Sequence, residues 1–230
     1  GLAASRSVVS EQQMENGVLL VDMGSSTTNL VVFDEGDLIH TAVLAVGGNN
    51  ITNDLAIGLK VDLDVAEKVK LEYAVAHSDL RRGKAERVTV TIGSEKHEFD
   101  TTDIDMIVDA RLEEIFEQIT AELKKVGRVA KLPGGVVLVG GGAELRGIAD
   151  YAKQALSLSA RVGRPSGLGG VGDEVAHPAF ATAVGLMLSD LTRSERGARS
   201  EKSDAGHGKS GNVLHSISNK ITGVFGKLRS

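Results

Sequence analysis

The sequence predicts an α/β fold in which buried strands are covered by helices, and three observations predict it. Aromatic residues make up 3% of the 230 and Trp is absent, yet apolar residues reach 41%. The core must therefore be built from Val, Ile, Leu and Ala, the composition of strands buried on both faces. Short aliphatic runs bounded by Gly, Asn and Asp come first along the chain, and longer stretches with apolar residues at three- and four-residue spacing come later. Their order is three strands, a helix-rich insertion, then β-α-β-α, a layered α/β pattern.

Gly17 to Met23 reads as a buried strand and Gly24 to Thr28 as a tight polar turn. Asn29 to Phe33 is a second strand, Asp34 to Asp37 a hairpin turn, and Leu38 to Val46 a third strand, so three antiparallel strands open the domain. Gly47 and Gly48 break the sheet. Helices are expected over roughly Ile51 to Leu59 and Asp64 to Ala76, the second with Asp64 as N-cap and Glu67 as its capping-box partner. Val88 to Ile92 and Lys96 to Phe99 alternate around Gly93 and Ser94 as a small hairpin. Ile104, Ile107, Val108, Leu112, Ile115, Phe116, Ile119, Leu123 and Val126 then mark a long amphipathic helix, capped by Thr102 or Asp103. Val136 to Val139 is a buried strand running into Gly140, Gly141 and Gly142. A helix from about Glu144 to Ser157, a strand from Ala160 to Val162, and a final helix from Pro178 to Asp190 follow. Residues 192–212 are rich in Ser, Arg, Lys, Gly and Asp and read as a flexible linker.

Composition excludes several classes. There is no Cys, so neither a disulfide framework nor a thiolate metal site can form. His40, His77, His97, His177, His207 and His215 show no pair at metal-ligand spacing, and no direct metal ligands are expected. No N-terminal targeting signal and no apolar run of bilayer-spanning length is visible. The charge is uneven. Residues 192–230 hold eight Lys/Arg and three Asp/Glu, net +5; with −5 overall, the preceding 191 residues carry −10. An acidic body argues against nucleic acid as a partner, and the basic tail calls for an acidic one, for which an anionic membrane surface is a candidate.

Three segments carry candidate chemistry. In the first, Asp22 ends a strand and is followed by Gly24, Ser25, Ser26, Thr27 and Thr28. The turn's N–H groups could hold phosphate oxygens and Asp22 could order Mg²⁺-bound water. An ordinary hairpin turn whose hydroxyls bond their own backbone accounts for the same residues. In the second, the strand into Gly140, Gly141, Gly142 and Ala143 permits close backbone approach to a ligand. It lacks G-x-G-x-x-G spacing and a βαβ context, so a dinucleotide fingerprint is not supported, and a Gly-rich strand–helix connection is the plainer reading. In the third, Glu67 and Lys70 lie three apart on one helical face and could grip the ribose and adenine of a nucleotide; a solvated ion pair has the same pattern.

These segments occur in the order and spacing of one superfamily. Asp22 to Phe33 resembles the second phosphate-binding segment of actin-like ATPases, Ala66 to Lys70 their adenine-side helix, Gly140 to Ala143 their adenosine segment, and Pro178 to Gly185 their second inter-lobe helix. Within it, His40 to Val43, Val46 to Leu59, Val162 to Pro165 and Ala179 to Leu188 resemble the FtsA family, over nearly all of residues 7–191. The resemblance implies an actin-like, ribonuclease-H-like lobe. Residues 1–45 and 129–191 would form its core subdomain and 46–128 an inserted α+β subdomain. It further implies ATP with Mg²⁺ as ligand, self-association into actin-like filaments, and binding of the C-terminal peptide of FtsZ on the inserted subdomain, where Arg111 is the candidate contact. A surface Arg paired with Glu114 explains that residue nearly as well. The family's first lobe and its extra subdomain do not occur in this sequence, so the chain is expected to offer half a nucleotide site and to bind ATP weakly alone. Ser25 and Ser26 replace two Gly of the family pattern, and Asn29 replaces an Asp, so at most slow ATP hydrolysis is expected. A PilM-like scaffold for pilus assembly shares the fold and is the alternative; the basic tail argues against it.

That tail is distinctive. Val213, Leu214, Ile217, Ile221, Val224, Phe225 and Leu228 fall on one helical face flanked by Lys220, Lys227 and Arg229, and residues 213–230 contain no acid. A basic amphipathic helix on a tether reads as a membrane-surface anchor, although docking on a protein fits the same pattern. With the family resemblance, it implies a peripheral protein on the cytoplasmic face of the cell membrane at the division site.

Overall fold

The computed structural model describes residues 1–77, 86–166 and 175–204, with side chains as far as Thr192. Helices α1 (Leu2–Val8) and α2 (Glu11–Glu15) precede the antiparallel strands β1 (Val18–Met23), β2 (Thr28–Asp34) and β3 (Asp37–Leu44). Helices α3 (Gly48–Leu59) and α4 (Leu63–Tyr73), the hairpin β4 (Arg87–Ile92) and β5 (Glu95–Asp100), and the long helix α5 (Thr101–Lys125) form the insertion. The chain then returns through β6 (Val136–Val139), α6 (Ile148–Leu156) and β7 (Ala160–Val162) to α7 (Ala181–Asp204). The main sheet has order β3-β2-β1-β6-β7, with β6 parallel to both β1 and β7.

Strands β1, β2 and β6 are buried on both faces, as their unbroken aliphatic runs require, whereas the edge strand β3 is largely exposed. Leu19, Val21, Leu30, Val32 and Leu138 point to one side, toward the insertion; Val18, Leu20, Val31, Val137 and Val139 point to the other, toward α1 and α7. One hydrophobic cluster runs without a break from the sheet into the insertion. Helix α5 makes the connection: Ile104, Val108, Leu112, Ile115, Phe116, Ile119 and Leu123 form its buried stripe. Truncating Leu112 or Ile115 to Ala would cost about 2–5 kcal/mol, because both are fully buried.

Several local expectations need correction. Helix α1, for which the sequence raises no expectation, carries no bulky apolar stripe; it is held by close backbone approach, since a Cβ on Gly185 of α7 would lie 1.7 Å from the Ala3 carbonyl oxygen. The N-cap of α4 is Asp62, not Asp64, and makes no side-chain cap bond, while Glu67 is drawn away to α3. Asp100 caps α5, accepting from the Thr102 N–H, in place of Thr102 or Asp103. β6-α6-β7 is a parallel βαβ unit, so that context is present after all; only the glycine spacing excludes the dinucleotide fingerprint. Helix α7 continues to Asp204, so residues 192–204 of the expected linker are helical. That stretch holds Arg, Glu, Lys and Ala and no Pro, residues that support a helix without an apolar stripe. The remainder of the linker and the candidate anchor at 213–230 lie outside the described residues.

Candidate functional site

Parallel pairing of β1 with β6 places Asp22 directly beside Val139. The segments that leave these strands, Gly24–Thr28 and Gly140–Ala143, therefore start side by side at the carboxyl ends of two parallel strands. In open α/β sheets that edge is where ligands bind.

Each segment is shaped by its neighbours. Gly140 has φ +83°, and a Cβ there would meet the Met23 carbonyl oxygen at 2.4 Å and Asp22 Oδ1 at 2.7 Å. A Cβ on Gly142 would lie 2.7 Å from the Met23 Cβ, whereas one on Gly141 would meet nothing within 4 Å. Two of the three glycines thus serve strand-to-strand packing, and Gly141 alone faces open space. Ala143 is buried, its N–H bonded to the Gly140 carbonyl. The Asp22 carboxylate is 15% exposed, and its Oδ2 accepts from Thr182 Oγ1 of α7 at 3.0 Å.

The polar turn is held from below. Its Gly24 and Ser25 carbonyls accept from the first N–H groups of α3, those of Gly48 and Asn49, at 3.0 and 2.7 Å. The positive end of α3 is thereby spent on fixing the turn. Ser25, Ser26 and Thr27 are exposed, with Ser26 Oγ 3.4 Å from Asn49 Nδ2. Thr28 does not join them. It is buried and donates to the Val46 carbonyl at 2.8 Å, so its hydroxyl supports the sheet.

Glu67 and Lys70 share a face of α4, with Glu67 Oε2 and Lys70 Nζ 2.6 Å apart. A third residue joins them: Thr52 of α3 donates to Glu67 Oε2 at 2.5 Å and accepts from Lys70 Nζ at 2.8 Å. Lys70 Nζ also reaches the Gly48 carbonyl at 3.3 Å, beside the polar turn. Burial pushes the Glu67 carboxyl up, but the bonds from Lys70 and Thr52 together with the Lys70 charge outweigh it and hold Glu67 below the usual carboxylate range. The pair is therefore anchored to α3 through Thr52, with Lys70 largely buried and Glu67 still partly exposed.

Arg111 lies elsewhere. Its Nε and Nη2 grip both oxygens of Asp54 on α3, at 2.5 and 2.9 Å, and Nη1 donates to Glu114. The Asp54 bond is the largest cause that raises its affinity for the proton. Asp54 and Thr52 are two apart on a helix and so face opposite ways. The Glu114 pairing was legible from spacing; Asp54, Thr52 and Thr182 were not, since each partner lies far along the chain. The candidate membrane residues Ile217, Lys220, Ile221, Val224, Phe225, Lys227, Leu228 and Arg229 are outside the described residues. Among those described, no group of three or more His, Asp or Glu is placed to hold a metal ion, and no helix is long and apolar enough to cross a membrane.

A family model described as cell division protein FtsA matches residues 19–185. The chain belongs to the FtsA family. It is 36% identical over 189 residues to FtsA of Borreliella burgdorferi, covering 81% of this chain and 46% of the relative. It is also 36% identical over 187 residues to FtsA of Bacillus subtilis, covering 81% and 41%. The chain thus spans about half the length of the FtsA relatives it matches. Among solved structures, MreB5 of Spiroplasma citri bound to ADP aligns with TM-score 0.67 and 16% identity, covering 84% of this chain and 59% of that one. A PilM–PilN type IV pilus biogenesis complex aligns with TM-score 0.58 and 22% identity, covering 79% and 48%. Such likenesses establish the actin-like fold, and the family match assigns the chain to FtsA over PilM.

Proposed function

We propose that the complete protein is a cell-division adaptor that tethers FtsZ filaments to the membrane, binds ATP with Mg²⁺ between two lobes, and polymerises. The observation that carries the nucleotide part is the meeting of three segments at the carboxyl ends of β1 and β6. Solved neighbours of the same fold are described as bound to ADP and to AMPPNP, which supports the reading. Ser25, Ser26 and Thr27, with the turn's backbone, would hold phosphate oxygens. Asp22 would order Mg²⁺-bound water, and Gly141 would lie along the adenosine. Glu67 and Lys70 would face the ribose. With Asn29 beside Asp22 in the sheet, where the family pattern has an acid, that position supplies no carboxylate base, in keeping with slow turnover.

For the partner, α3 and α5 each present an exposed apolar side chain. Ile57 and Met106 are 77% and 64% exposed, and they flank the close contact of Gly58 with Ile107. An FtsZ C-terminal peptide would seat there, with Arg111 bracing α3 against α5 through Asp54. Membrane attachment is assigned to residues 213–230. Each basic residue adds about 1 kcal/mol near an anionic surface, so one tail binds marginally and a row of tails on a filament binds far better.

Calorimetric titration of the chain with the FtsZ C-terminal peptide tests the adaptor reading. Saturable binding, weakened at least tenfold by Arg111→Glu (about 1.4 kcal/mol), is expected. Absence of binding to folded protein would remove the support for FtsZ as the partner of this surface.

A further inference from the structure

Thr52 was not marked by any motif, yet it sits where the two ends of the candidate site join. It is buried, five residues into α3, and β-branched, so its hydroxyl has little rotational freedom. The same helix holds the polar turn through the N–H groups of Gly48 and Asn49. Its single proton goes to Glu67 Oε2, 2.5 Å away, and not to the Gly48 carbonyl at 3.3 Å; its lone pair receives Lys70 Nζ.

Two long side chains on α4 are thereby pinned to α3. Oε2 of Glu67 is fully engaged by Thr52 and Lys70. No bond to Oε1 occurs among the described residues, and the Glu67 side chain is 43% exposed. An ionised carboxylate with one oxygen fixed and the other without a bond among the described residues is an acceptor for hydroxyl donors, and vicinal sugar hydroxyls are the donors a nucleotide presents there.

We propose that Thr52 is a positioning residue that sets Glu67 to accept from the ribose hydroxyls, so that α3 registers the phosphate turn and the sugar-binding carboxylate as one rigid unit. This rests on the nucleotide reading above. Without Thr52 the pair still forms, but Glu67 is free to swing about α4 and its ribose bond loses preorganisation.

The test compares ADP with 2′,3′-dideoxyadenosine diphosphate, both with Mg²⁺, on the full-length two-lobed protein by calorimetry. Wild type is expected to prefer ADP by about tenfold, the worth of one hydrogen bond to a charged group. Thr52→Val is expected to erase that preference by weakening ADP while leaving the dideoxy nucleotide unchanged, and Thr52→Ser to restore it. Should Thr52→Val not fold, Thr52→Ala against Thr52→Ser carries the same comparison. A preference retained in the Val or Ala variant, both nucleotides weakened equally, or no preference in wild type overturns the assignment to Thr52. Failure of wild type to bind either nucleotide overturns the nucleotide reading itself.

Discussion

Thr182 of α7 donates to Asp22 Oδ2 of β1 at 3.0 Å, across 160 residues of sequence. The bond ties α7 to the carboxylate at the head of the candidate phosphate segment. Because α7 also packs on α1 through Gly185, Asp22 is steered by the helical layer beneath the sheet as well as by its own strand. Thr182→Val keeps the side chain's shape and removes the donor. The expected loss is about 1–3 kcal/mol, since the acceptor is charged and mostly buried. Urea unfolding of the two forms measures it, and Thr182→Ser should recover most of the loss.

The neighbouring glycines give a sharper contrast. Gly140→Ala demands a left-handed residue and drives a methyl into the Met23 carbonyl, so it should lower stability by about 2 kcal/mol or more. Gly141→Ala meets no atom and should stay within about 0.5 kcal/mol of wild type. Unfolding midpoints of the two variants check this directly. Equal effects would mean that the glycines are not distinguished by the approach of β1.

Acid should expose the Glu67 network. Its folded-state proton affinity is depressed, so the stability it adds is present above the ordinary carboxylate value of 4.5 and is lost as pH falls through the lower folded value. Glu67→Gln should flatten the decline in stability between neutral pH and pH ~3, though not abolish it. Asp100 and Glu122 are depressed as well, by the Thr102 backbone bond and by the Lys125 bond respectively, and lose stability in the same direction. Denaturant midpoints across that range provide the check.

Much of the fold was legible because the strands are short aliphatic runs closed by Gly, Asn and Asp, and because α5 keeps its apolar spacing over its whole length. What escaped depended on contact between distant segments. Helix α1 is Ala- and Ser-rich, so its burial comes from backbone proximity to α7, which no periodicity reports. The α4 N-cap was misplaced because Glu67, the supposed capping partner, is claimed by Thr52 and Lys70. At the candidate site, where the pairing of β1 with β6 brings them side by side, the strand–turn boundaries of Asp22–Thr28 and Gly140–Ala143 were legible from sequence. The inward turn of Thr28 was not, since a hydroxyl at a strand's first residue can face either way. The Asp54–Arg111 grip joins residues 57 apart and leaves no local signature.

Membrane attachment, assigned from sequence to residues 213–230, should be electrostatic in part. Deleting that segment is expected to abolish cosedimentation with anionic vesicles, and raising salt to weaken it for the intact chain. Binding that survives the deletion would place the attachment elsewhere.

The most direct test of the proposed nucleotide site is a calorimetric titration with ADP and Mg²⁺, run in parallel on the full-length protein and on this chain alone. Saturable binding is expected for the full-length protein, and affinity at least a hundredfold weaker (about 2.7 kcal/mol) for the chain alone, if it contributes one wall of the proposed site. Equal affinity in the isolated chain, or no binding by folded full-length protein, would contradict it.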